Sequence, residues 1–99
     1  MRAAIVALCL AFMIGTAVAE GDPEYGQYLS SECVTCHQSS AAGTIPPIAG
    51  MNADGFISMM KLYRSKQLDN PTMQTVAMRL SDEDIAALAA YFSALKAPD

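Results

Sequence analysis

Apolar side chains are distributed along this chain in two ways. From Ala3 to Val18 they run without a charged residue. In three later stretches they recur every three or four residues, which is one face of an α-helix. The first of these opens at Asp22-Pro23, a cap residue followed by proline at the first helical position, and sets Tyr25, Tyr28, Leu29 and Cys33 on one side. The second opens near Asn52 to Asp54, reaches about Arg64, and repeats Phe56, Met59, Met60 and Tyr63. The third begins with Ser81-Asp82-Glu83-Asp84, a cap and an acidic first turn, and carries Ile85, Leu88, Ala89, Phe92 and Leu95. Lys96 suits the negative end of that helix, and Pro98 stops it.

Between the helices lie two stretches that read as irregular, Gln38 to Gly50 with Pro46-Pro47, and Ser65 to Thr72 with Asn70-Pro71. No segment alternates as a strand does. The prediction is an all-α protein of three main short helices whose loops are long for so small a body. Such loops wrap something.

The leading apolar run changes the domain count. It follows a single positive charge at Arg2, is shorter than the roughly 18–20 residues that span a bilayer, and ends at Ala17-Val18-Ala19, a small-x-small cleavage pattern. Residues 1–19 are therefore expected to be a cleaved signal peptide, discarding Cys9, with 20–99 as one exported domain in the periplasm and no membrane span left. That domain keeps five bases, Lys61, Arg64, Lys66, Arg79 and Lys96, against ten acids. The acidic balance excludes nucleic acid as a partner, since phosphate binding needs a basic footprint. A chain of this length without tryptophan has little core and calls for a staple. Cys33 and Cys36 alone make no disulfide framework.

Those cysteines stand in Cys33-Val34-Thr35-Cys36-His37, and His37 is the only histidine. C-x-x-C-H is the attachment pattern of c-type haem. Two thiols three positions apart reach the two vinyl groups on one edge of the ring, and each adds across its double bond. The next residue places an imidazole beneath the iron. Export agrees, because this haem is attached outside the cytoplasm. A thiol–disulfide exchange pair would want a β-α-β setting, and a zinc site would want a fourth soft ligand. Neither is visible. The cofactor expected is one covalent haem c, with His37 on the iron.

The sixth iron position cannot be a second histidine. Methionine is the candidate, offered by Met51, Met59, Met60, Met73 and Met78. Met59 and Met60 read as helix-face residues. Met73 follows Asn70-Pro71-Thr72, where proline disfavours helix for the residue before it and favours extended chain able to drape over the haem. Met73 is the expected ligand, with Met78 as the alternative.

Taken in order, Cys33 to His37, Ile45-Pro46-Pro47-Ile48-Ala49-Gly50, Asn70-Pro71-Thr72-Met73 and Leu80-Ser81-Asp82-Glu83-Asp84-Ile85 resemble a class I cytochrome c over nearly all of residues 20–99. The resemblance implies that the Pro46 carbonyl accepts a hydrogen bond from His37, that Ile48 packs on the ring, and that the first and last helices cross at Gly26 with Tyr91 or Phe92 opposite. From Ile45 to Phe92 the chain is most similar to the cytochrome subunits of flavocytochrome c sulfide dehydrogenases, which place a methionine eight residues before the cap of the last helix, as Met73 and Ser81 do here. Lys66 and Leu68 depart from the glycine and arginine of many relatives.

The function expected is single-electron transfer by a His/Met-ligated haem, without catalysis by this chain itself. A small soluble carrier meeting redox partner proteins is the first reading. A cytochrome subunit receiving electrons from a flavoprotein that oxidises sulfide or another reduced-sulfur compound is the alternative. A gas sensor with an open sixth site ranks third.

Overall fold

The computed structural model describes residues 21–38 and 45–98. The proposed signal peptide with Cys9, and part of the loop between Gln38 and Gly50, lie outside them. The described residues form five helices and no strand: α1 Pro23–Leu29, α2 Ser31–Val34, α3 Ala53–Arg64, α4 Pro71–Met78 and α5 Asp82–Ala94. Among them no helix is long and apolar enough to cross a membrane.

Helix α5 is the axis of the packing, with α1 on one side and α3 on another, while α4 lies against α3. Its start is fixed twice. The Ser81 hydroxyl accepts from the Asp84 amide at 3.0 Å, and the Asp84 carboxylate accepts from the Ser81 amide at 3.0 Å. The same carboxylate accepts from the Tyr25 hydroxyl at 2.7 Å, so one side chain both caps α5 and clamps α1. These bonds hold the Asp84 carboxyl below the usual carboxylate range, the Ser81 amide first and Tyr25 second. Arg64 ties the end of α3 to the same corner, donating to the Leu80 carbonyl at 3.3 Å and meeting Asp82 at 2.6 Å.

Gly26 is where α1 crosses α5. A methyl group there would come within 2.0 Å of the Ala87 carbonyl oxygen and 2.8 Å of the Tyr91 Cβ. The crossing partners are thus Ala87 and Tyr91 rather than Phe92. Phe92 points to the other side, into a core of Ile85, Leu88, Ala89, Ala77, Met60 and Phe56. Its ring lies 6.0 Å from that of Phe56.

Four details differ from the pattern-based expectation. Tyr25 and Tyr28 do not face the core. They stack on each other at the surface, and Tyr28 is 78% exposed. Cys33 belongs to a separate short helix, because the chain turns at Ser30, whose hydroxyl donates to the Gln27 carbonyl. Helix α5 ends at Ala94, with Leu95 already extended, so Lys96 lies past its last turn. Finally, Pro71 starts a helix. Asn70 is extended, as a residue before proline should be, but proline is also well suited to the first helical position. Met73 consequently sits in the first turn of α4 and not in extended chain.

Candidate functional site

The turn after α2 keeps helical hydrogen bonding as far as His37, whose amide donates to the Cys33 carbonyl at 2.8 Å. Residues three and four apart on such a turn share a side. Cys33, Cys36 and His37 are therefore grouped by backbone geometry alone. Both thiols are free, Cys33 half-buried and Cys36 exposed. Burial, with Glu32 adding to it, pushes the Cys33 thiol up from its ordinary pKa.

His37 Nδ1 lies 2.7 Å from the Pro46 carbonyl oxygen. A carbonyl only accepts, so Nδ1 carries a proton in this bond, and in the neutral imidazole Nε2 is then the nitrogen with the lone pair. That fixes both the ring's tautomer and its direction, as outer partners do for metal-binding histidines.

One cavity of about 510 Å³ opens beside this ring. Cys36, His37, Pro46, Ile48 and Met73 all line it. Cys33 is not on the lining; it packs one turn behind, against the core. Met78 does not line the cavity and is 55% exposed, which leaves Met73 as the methionine from the last two that faces it. Met73 is placed by its own backbone: its amide donates to Asn70 Oδ1 at 3.0 Å, and Pro71 sets the preceding turn.

The cavity also takes Phe56, Met59, Met60 and Tyr63 from α3, with Met51 from the preceding loop. Sequence spacing marks these four α3 residues as one helix face and reads Met59 and Met60 as core, which holds for Met60, buried with Phe56, and not for Met59, which is exposed. A core whose centre is a cofactor shows the same periodicity as one filled by side chains. Asn70 and Thr72 line the cavity as well, and the only signal pointing to them is their place beside Met73.

The residues fit a haem. The walls are mostly apolar, the volume lies in the range of small-molecule sites, and His37 and Met73 line one space, with two thiols on the adjoining turn. Among the described residues no group of three histidine, cysteine or acidic side chains could hold a metal ion by itself.

Comparison with known proteins follows the same line. The family model for cytochrome c matches residues 23–96. The chain is 39% identical over 71 residues to a thiosulfate dehydrogenase electron acceptor of Stutzerimonas stutzeri, covering 68% of this chain and 33% of that protein. It is 38% identical over 79 residues to cytochrome c-554(548) of Halomonas halodenitrificans, covering 74% of this chain and 95% of that one. It is 31% identical over 100 residues to cytochrome c4 of Pseudomonas aeruginosa, covering 97% of this chain and 50% of the relative. The chain thus spans a third to a half of two of these proteins and nearly all of the other.

Proposed function

This chain belongs to the cytochrome c family, and from that premise we propose that it carries single electrons in the periplasm with one haem held by Cys33, Cys36, His37 and Met73. Covalently bound haem c supplies a one-electron couple; the chain supplies everything that keeps the couple simple. Cys33 and Cys36 would hold the ring edge by thioether bonds. His37 would offer Nε2 to the iron, its ring held by Pro46. Met73 would fill the opposite position, so that no substrate reaches the metal. Ile48, Met51, Phe56 and Met60 line the same cavity and would keep water from the haem, and a dry His/Met site has a higher potential than a bis-histidine one.

The observation that carries this reading is the cavity itself: an imidazole with its Nδ1 already engaged and a methionine from α4 line the same space. Export is supported by the Ala17-Val18-Ala19 pattern and by the need to attach such a haem outside the cytoplasm. Ile45 and Met59, 47% and 40% exposed, are the exposed large apolar residues on the cavity lining among the described residues. A patch that small suits brief encounters better than a permanent interface.

A second reading is favoured by one relative's name, thiosulfate dehydrogenase electron acceptor: the donor is a dehydrogenase of reduced sulfur compounds, and this chain its cytochrome partner or subunit. Size-exclusion chromatography of native periplasmic extract, followed by haem and flavin absorbance, separates the readings. The carrier reading predicts haem eluting alone at the size of one copy of residues 20–99, somewhat below the 10.5 kDa of the full sequence. Haem eluting early with flavin would replace it with a flavoprotein subunit.

A further inference from the structure

Among the described residues the cavity lining holds no lysine, arginine, aspartate or glutamate. Haem c brings two propionate carboxylates with it, and a carboxylate at an apolar cavity needs hydrogen-bond donors. Leu68, where the family resemblance leads one to expect arginine, provides none from its side chain, and its carbonyl accepts from Gln74 Nε2 at 2.8 Å. The neutral donors on the lining come from Tyr63, Thr72 and Asn70.

Asn70 differs from the other two in having its orientation set. Its Oδ1 is committed to the Met73 amide at 3.0 Å, at the start of α4. The carboxamide is planar, so holding Oδ1 also restricts Nδ2, which carries two N–H donors and has no part in the cap. Asn70, exposed overall, is also one of the residues lining the cavity.

We propose that Asn70 joins the placement of Met73 to the recognition of a haem propionate, Oδ1 capping α4 through the Met73 amide while Nδ2 donates to the carboxylate. Asn70 is a positioning residue on this account, and the proposal rests on Met73 being the iron's sixth ligand. The donated hydrogen bond partly offsets the carboxylate's negative charge near the iron. That favours the reduced state, in which the iron is less positive. In place of a buried cation the chain uses a neutral amide, and the amide is rigid because it is already a helix cap.

Two variants of the haem-loaded protein test it. Asn70→Asp and Asn70→Ser both keep an oxygen able to cap α4, since Asp, Ser and Asn are similarly strong caps. Serine withdraws the long-reaching donor, and aspartate replaces it with a like charge. Both are expected to keep the far-red absorption band of methionine-bound ferric haem and a thermal midpoint close to that of the parent. The reduction potential is expected to fall in the order Asn, Ser, Asp. Equal potentials in all three proteins would overturn the proposal, as would loss of the band in both variants while the parent keeps it. A parent protein without the band would instead overturn the ligand assignment of Met73, a distinguishable result.

Discussion

Lys66 is the residue that fits its own backbone least well. Its φ of 64° is in the left-handed region, where a Cβ is crowded and glycine is at home. The cause is the end of α3. The amides of Lys66 and Gln67 turn back to the carbonyls of Tyr63 at 3.0 Å and Leu62 at 2.9 Å, a helix-terminating pattern that needs a left-handed residue at position 66. The glycine that the family resemblance leads one to expect at this point would suit this geometry, and the lysine keeps the geometry at a cost. Lys66→Gly is expected to stabilise the protein by about 0.5–1 kcal/mol in urea denaturation, because removing the Cβ relieves more strain than the added chain freedom costs. A destabilised variant would mean that the lysine side chain makes a compensating contact. At this scale the site was readable in advance wherever chemistry demands a spacing, as in Cys33, Cys36 and His37. Asn70 was not, because an asparagine before proline looks the same whether it caps a helix, lines a cavity or does both.

Helix ends show the same division between legible and hidden. α3 and α5 were visible because Asn52 and Ser81 cap long apolar stripes, and both side chains accept amide hydrogens as their types suggest. α2 and α4 have four and eight residues, too few for a periodicity to stand out. The proline in Pro71-Thr72-Met73 weighed against helix when it marks the beginning of one. The α1–α5 corner yields a prediction of its own. Asp84 has a folded-state pKa below its unfolded value near 3.9, so its contribution is complete above that value and is lost as pH falls through the lower folded one. Urea midpoints of the parent and Asp84→Asn are expected to differ steadily from pH 7 to about pH 5 and to converge below about pH 4. Asp82, also held low by Arg64, titrates in both proteins and cancels from the comparison. A gap unchanged at the acid end would place the stabilisation in something other than this carboxylate.

Over the whole molecule, the core and the cofactor site form a single space. Phe56 and Met60 belong at once to the buried cluster with Phe92 and to the wall of the cavity. A chain this short needs an internal staple, and the cavity of about 510 Å³ is the space proposed for it. What composition and periodicity could not reveal was that the α3 stripe faces this space, since filled and hollow cores leave the same pattern. The loop carrying Pro46 and Ile48 is drawn in by long-range contacts no local pattern encodes: the Gly50 amide donates to the Phe92 carbonyl at 2.9 Å, and Gly50, with φ of 81°, lies where a Cβ would strike Ala97. The central claim is that His37 and Met73 together close the iron to outside ligands. It is tested most directly by adding carbon monoxide to the reduced, haem-loaded protein at neutral pH and following the absorption spectrum, beside Met73→Ala. The account predicts an unchanged spectrum in the parent and carbon monoxide binding in the variant; binding by the parent would mean that Met73 leaves the sixth position open.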